Sequence, residues 1–297
     1  MTQVKTEKCS KCQGSYFQLA SENGLLQGNP CECFHCEHCN GRGHIYSRDD
    51  KGLSYVQECK CAELKKRLKK LNHAGIPGKF ALASLENFST QPPCTQSQKL
   101  AKTRAVDFVE NFSKPEANRG LLFMGAPGLG KTHLATAIIK ALILGKGVNC
   151  KFVDFFQLLS DIRYGFSQNM SEQSLINPYI QARVLVIDEL AKGRNTEWEL
   201  TILDQIISSR YNSIDKTTIF TTNYMSELAI KNEGKKSHVD FERQSFTDLL
   251  TSQTLQDRIG PRIYSRLAEM CDFALMQGED LRQKKLAKSQ QSFKQKK

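Results

Sequence analysis

The chain has 297 residues, 39% of them hydrophobic and 25% charged, with 42 basic against 31 acidic side chains and a formal charge of +11. That excludes an acidic disordered protein, leaves room for one large or two ordinary domains, and favours a polyanionic partner. No stretch approaches the ~18 uncharged apolar residues that a membrane helix needs, and the opening MTQVKTEKCSK lacks the apolar run of a secretory signal. A cytoplasmic chain without membrane contact is expected.

Eight of the eleven cysteines fall within the first 61 residues, leaving Cys94, Cys150 and Cys271 outside. Such a cluster in a cytosolic chain points to metal rather than disulfides. The spacing repeats: C-x-x-C, eighteen residues and C-x-C from Cys9 to Cys33, then C-x-x-C, nineteen residues and C-x-C from Cys36 to Cys61. A closely spaced pair on a turn supplies two corners of a zinc tetrahedron, and a hairpin returns the distant pair to the other two. Cys9, Cys12, Cys31 and Cys33 are assigned to one structural Zn²⁺, and Cys36, Cys39, Cys59 and Cys61 to a second. Interleaved pairing stays open, and His35 and His38 are read as bystanders. Eight thiolate charges against four from two Zn²⁺ lower +11 to +7. Residues around Tyr16–Leu19 and His44–Tyr46 have the β-propensity of short ribbons.

Leu64, Leu68 and Leu71 form one helical stripe, with five basic residues around it. A solvated face and a nucleic-acid contact are both compatible with it. Gly75-Ile76-Pro77-Gly78 ends that helix, which places a zinc module at 1–75. After Thr90-Gln91-Pro92-Pro93 comes a second helical run with the stripe Leu100, Val106, Val109 and Phe112.

Leu121–Met124 is an unbroken apolar run of the kind found in buried parallel strands. It leads into Gly125-Ala126-Pro127-Gly128-Leu129-Gly130-Lys131-Thr132, which satisfies G-x-x-x-x-G-K-[ST], and His133 opens a helix. Main-chain N–H groups of this loop would cradle the phosphates of ATP, Lys131 would offset charge on the β- and γ-phosphates, and the Thr132 hydroxyl would ligate Mg²⁺. A second apolar strand, Val184–Ile187, ends in Asp188-Glu189. Asp188 is expected to hold Mg²⁺ and Glu189 to act as general base toward water. A third strand, Thr218–Thr221, ends in Thr222-Asn223, and Asn223 is placed to orient that water. Thr196–Glu199 reads as a capping box opening a helix through Tyr211. Arg258, Arg262 and Arg266 then recur every four residues, with Gly260-Pro261 interrupting their helix.

Taken in this order, GAPGLGKT, LVIDE, TTN and GPRIYSRL, with AGIP and SLENF upstream, resemble the AAA+ ATPases of the bacterial helicase-loader type (DnaC/DnaI-like), related to the IstB transposition ATPases. The resemblance covers about residues 75–275. It implies an α/β P-loop ATPase domain at 76–278 with a parallel sheet between helices and no carboxyl-terminal lid. It also implies Asn223 as sensor 1 and Arg266 as an arginine finger acting in trans between like subunits, with Arg262 the next candidate. Slow, partner-stimulated ATP hydrolysis is implied as well, with the replicative DNA helicase and single-stranded DNA as partners. The stretch from Lys151 to Arg163 would face single-stranded DNA, and a zinc-binding amino-terminal domain grips the helicase in some loaders. Recruitment of a transposase to duplex DNA is the alternative; a zinc-dependent nucleic-acid adaptor with a vestigial ATPase is a third reading. The polar stretch Lys231–Thr254 is expected to be an exposed insertion. A basic disordered tail is expected at 279–297, with seven basic and no acidic residues from Arg282 onward.

Overall fold

A computed structural model of the chain describes residues 9–113, 119–226 and 253–281. Both the tail from Arg282 and all but the last two residues of the expected insertion lie outside the described residues. The chain divides into two compact units, one holding residues up to 82 together with 140–150, the other holding 83–139 and 151 onward.

The first unit is built on two antiparallel hairpins. Strands β1 (Phe17–Glu22) and β2 (Leu25–Pro30) form one, and β3 (His44–Arg48) and β4 (Ser54–Glu58) the other. Helix α1 (Lys60–His73) starts within the second pair of distant cysteines, with Cys59 as its cap and Cys61 in its first turn. The first hairpin is packed: Leu26, Leu68 and Leu71 are buried. A Cβ on Gly28 would lie 2.9 Å from Leu68 Cδ2 and 3.0 Å from Leu71 Cδ2, so a side chain here would push those leucines aside. Asn72 clamps the same residue, accepting from the Gly28 N–H (2.7 Å) and donating to its carbonyl (3.2 Å). The second hairpin differs. Every residue of β4 is exposed, and Tyr46, Leu53 and Val56 are each more than half exposed.

The remaining elements run α2 (Gln96–Asn111), β5 (Gly120–Met124), α3 (Lys131–Lys146), β6 (Cys150–Asp154), α4 (Phe155–Ser167), α5 (Glu172–Gln181), β7 (Val184–Asp188), α6 (Glu197–Tyr211), β8 (Thr217–Thr222), α7 (Leu255–Met270) and β9 (Cys271–Leu275). The sheet order is β6-β7-β8-β5-β9, and β5/β8, β5/β9 and β7/β8 pair in parallel. All residues of β5, β7 and β8 are buried between two helical layers, β5 and β7 as largely apolar runs and β8 with four threonines around Ile219 and Phe220. The order matters for chemistry. It sets the carboxyl end of β8 between those of β5 and β7, so the loops after all three strands meet at one edge.

Capping boxes begin three helices: Thr95 with Gln98, Thr196 with Glu199, and Thr254 with Asp257. In α2 the buried residues are Gln98, Ala101, Ala105 and Phe108, and Leu100 is half exposed. The stripe is rotated from the sequence expectation because Gln98, polar by type, turns inward to hydrogen-bond. Helix α7 is broken at Gly260 (φ 78, ψ 157), where Pro261 starts a new helical segment.

The last turns of α3 belong to the first unit. There Arg67 donates to the carbonyls of Leu144 (2.7 Å) and Gly145 (3.0 Å), and Lys70 to that of Gly147 (2.5 Å). Cations on the orphan carbonyls of a helix end satisfy them and complement the dipole. Part of the basic character of α1 is thereby spent on structure.

Candidate functional site

Strand β5 delivers the chain into a loop whose glycines have positive φ, including 140° at Gly125 and 93° at Gly130. A Cβ on Gly125 would lie 2.0 Å from the Met276 carbonyl oxygen, so no other residue fits where the loop leaves the sheet. The far side of the loop is held by residues that sequence reasoning missed. Gln98 Nε2 donates to the Leu129 carbonyl (3.1 Å), Leu281 N–H to that of Gly128 (3.2 Å), and Met276 N–H to that of Met124 (2.8 Å). None of these belongs to a motif, and only the fold brings them here.

Lys131 Nζ donates to the carbonyls of Gly125 and Ala126 (both 2.7 Å) and to Asn223 Oδ1 (2.8 Å). The lysine at the start of α3 and the asparagine past β8 therefore meet at one point. One strand over, Asp188 Oδ1 accepts from Thr132 Oγ1 (2.8 Å) and Thr221 Oγ1 (2.5 Å). Burial raises the Asp188 carboxyl above its ordinary range, while the two hydroxyls act against that shift. A hydroxyl and a carboxylate this close are the hard oxygen donors that Mg²⁺ takes, so the donor set fits that ion. Thr221 also receives the Glu189 N–H (2.9 Å). Glu189 itself has φ 54, and its half-exposed carboxylate pairs with Lys192.

Other expected residues are placed differently. The His133 ring lies against the Ser84 carbonyl (2.9 Å) and edge-on to Phe88, so its side chain supports the loop from outside. Ala126 is half-buried, Pro127 exposed and Leu129 buried. Arg266 Nη1 donates to Asp204 Oδ1 (2.6 Å) and Ser208 Oγ (2.5 Å) on α6, and Arg262 reaches the same Asp204 at 3.4 Å. The loop, Lys131, Thr132, Asp188, Glu189 and Asn223 are thus brought together, while Arg262 and Arg266 face α6. On α4, Phe156, Arg163 and Tyr164 are exposed, whereas Phe155, and Phe152 on β6, are buried.

The cysteines form two groups, Cys9/Cys12/Cys31/Cys33 and Cys36/Cys39/Cys59/Cys61, each with all four sulfurs within 4.8 Å of one another. Sγ–Sγ separations of 3.9 Å (Cys9–Cys31), 3.3 Å (Cys12–Cys33), 3.6 Å (Cys36–Cys59) and 3.2 Å (Cys39–Cys61) bracket the about 3.8 Å edge of a zinc–thiolate tetrahedron. Burial opposes ionisation of Cys39, but the Gly43 N–H at 3.2 Å and the Cys61 thiol pull it down to about 6. A thiolate donor is available in such a set, and the eight sulfurs fit two closed metal sites. His35 and His38 are exposed and belong to neither group. Among the described residues no helix is long and apolar enough to cross a membrane.

Comparison with known proteins identifies a family. The family model of the IstB-like ATP binding protein matches residues 52–229. Over 158 residues the chain is 30% identical to the replicative helicase loader DnaC of Escherichia coli (strain K12), covering 53% of this chain and 62% of that protein. It is 28% identical over 165 residues to the Bacillus subtilis (strain 168) protein YqaM, covering 53% and 51% respectively. The matched stretch is under two thirds of either relative's own length. A crystal structure of the DnaC helicase loader superposes with a TM-score of 0.52 at 29% identity, covering 67% of this chain and 99% of that one.

Proposed function

Because the chain belongs to the IstB-like ATP-binding protein family, we propose that it is a Mg²⁺-dependent AAA+ ATPase that loads or remodels the replicative DNA helicase on single-stranded DNA. The observation that carries this reading is the pair of contacts Lys131–Asn223 and Thr132–Asp188, which join three strand ends into one phosphate-and-metal site.

In this reading the main-chain N–H groups of Gly128–Thr132 grip the β-phosphate, and Lys131 exchanges its carbonyl partners for phosphate oxygens. Thr132 and Asp188 would hold Mg²⁺, which when bound neutralises charge developing on the transferred phosphoryl group. Glu189, released from Lys192, accepts a proton from the attacking water, and Asn223 orients that water. Arg266 leaves Asp204 and Ser208 to complete the site of a neighbouring protomer, which makes turnover depend on assembly. The exposed Phe156 and Tyr164, with Arg163, suit base stacking and phosphate contact with a single strand. Two structural Zn²⁺ hold the hairpins of the first unit, and this unit would contact the helicase. The two DnaC comparisons support the replication role, since both are named as helicase loaders.

Single-turnover hydrolysis of ATP, with and without single-stranded DNA, tests the site. Lys131→Ala should abolish nucleotide binding, and Glu189→Gln should keep binding while lowering hydrolysis by about 100-fold or more. Wild-type rates in both variants would disprove the assignment. The resemblance to the IstB transposition ATPases leaves one second reading, an ATPase that recruits a transposase to duplex DNA. Preference for long duplex over single strands would select it.

A further inference from the structure

Arg258 does something different from the two arginines that follow it. The break at Gly260 separates it from them, and its side chain turns toward the segment leaving β7. Nη2 donates to the carbonyls of Ala191 (3.0 Å) and Gly193 (2.5 Å), and Nη1 to Gln253 Oε1 (3.2 Å). The guanidinium lies over the Tyr224 ring at 5.0 Å from its centroid. Nε is buried without a hydrogen-bond partner among the described residues. Native proteins carry few buried polar atoms without a partner, so this one calls for an explanation.

The segment it holds is unusual in itself. Glu189 and Ala191 have φ of 54° and 68°, a conformation that residues with a Cβ adopt only where neighbours impose it. Up to Leu190 the neighbour is β8: Leu190 N–H donates to the Thr221 carbonyl (2.7 Å), and Thr222 Oγ1 to the Leu190 carbonyl (2.9 Å). Beyond Leu190, Arg258 takes over. Its other contact, Tyr224, directly follows Asn223. One guanidinium thus touches both the turn that carries Glu189 and the residue beside the water-orienting asparagine.

We infer that Arg258 is a positioning residue acting within its own chain, fixing the 189–193 turn against the Asn223–Tyr224 segment so that Glu189 meets the attacking water. This rests on the ATPase reading above. The planar fork is what the geometry uses: two carbonyls are bridged by one nitrogen while the flat face packs on a ring, and a lysine ammonium cannot do both. Misplacing a reacting group by about 1 Å can cost on the order of 100-fold in rate while binding persists.

The test compares full-length wild type, Arg258→Ala and Arg258→Lys for ATPase kcat and KM and for affinity toward a fluorescent ATP analogue. Both variants should lose about 10- to 100-fold in kcat, with KM and analogue affinity within about twofold of wild type. Mixing Arg258→Ala with Lys131→Ala protein should restore nothing, because the defect lies in the same chain as the intact phosphate loop. Recovery on mixing would show action across an interface and overturn the inference. So would unchanged kcat in either variant, or loss of analogue binding in the lysine variant, which would mark a role in general folding. Absence of Lys131-dependent hydrolysis in wild type would instead overturn the ATPase reading itself.

Discussion

At the scale of single residues the site is an arrangement of charges and hydroxyls around Asp188. Its carboxyl is raised by burial, so the ionised form costs folding free energy, and that cost grows as pH rises through the raised value. Asn at this position keeps an oxygen for Thr132 and Thr221 and removes the charge. Asp188→Asn is therefore expected to unfold at higher urea than wild type at neutral pH without nucleotide or metal, with the gap closing toward acid pH. The same variant should lose on the order of 100-fold in Mg²⁺-dependent hydrolysis. Equal stability of the two proteins across that pH range would contradict the assigned burial cost. The motif residues Lys131, Thr132, Asp188, Glu189 and Asn223 were legible in the sequence because each stands in a short local pattern, the GKT that closes the glycine loop or the DE and TN at strand ends. Thr221, Gln98 and Arg258 were not, since their partners are carbonyls and side chains far along the chain, and no local pattern encodes such a contact.

Elements were read well where a pattern is local and less well where a polar side chain is drawn inward. The capping box at Thr196 and the break at Gly260-Pro261 follow from sequence and recur in the structure. The rotated face of α2 and the fully buried Arg210 on α6 do not. Arg210 donates to the carbonyls of Tyr179 (2.9 Å), Ile180 (3.1 Å) and Ala182 (2.7 Å), which close the end of α5. It also donates to the Thr217 carbonyl (2.6 Å) and the Thr218 hydroxyl (2.8 Å) in β8. Burial pulls its pKa down to about 10, which still leaves it charged at neutral pH. Replacement by methionine fills the volume but strands several carbonyls, so Arg210→Met should cost about 3 kcal/mol in urea unfolding. A loss below about 0.5 kcal/mol would mean that the bonds are replaceable by water.

The two hairpins make a similar contrast. Leu26 and Gly28 seat the first on Leu68 and Leu71, whereas β4 of the second is exposed throughout. The duplicated cysteine spacing was plain in the sequence, but this asymmetry was not, because it depends on which hairpin the following helix covers. Cys9→Ser should therefore lower the thermal midpoint of the whole protein, while Cys36→Ser should release one equivalent of zinc with a much smaller change. Equal shifts from the two substitutions would contradict the packing difference.

For the molecule as a whole, the proposed loader would use an ATP site, a basic chain and a unit with two cysteine groups to make its grip on DNA and helicase depend on nucleotide. The net charge of +7 with zinc bound, like the raw +11, favours a polyanionic partner without choosing between single and double strands. The phosphate loop could be read from its strand–loop–helix context and the AAA+ fold from the family resemblance of the motif set, whereas partner choice depends on surfaces whose complement is another molecule. The decisive measurement is the amount of hexameric replicative helicase retained on circular single-stranded DNA in the presence of this protein and ATP. Wild type should raise that amount several-fold, and Lys131→Ala and Arg266→Ala should each return it to the level of helicase alone. Retention that is the same with and without the protein, or that persists undiminished in Lys131→Ala, would contradict the account.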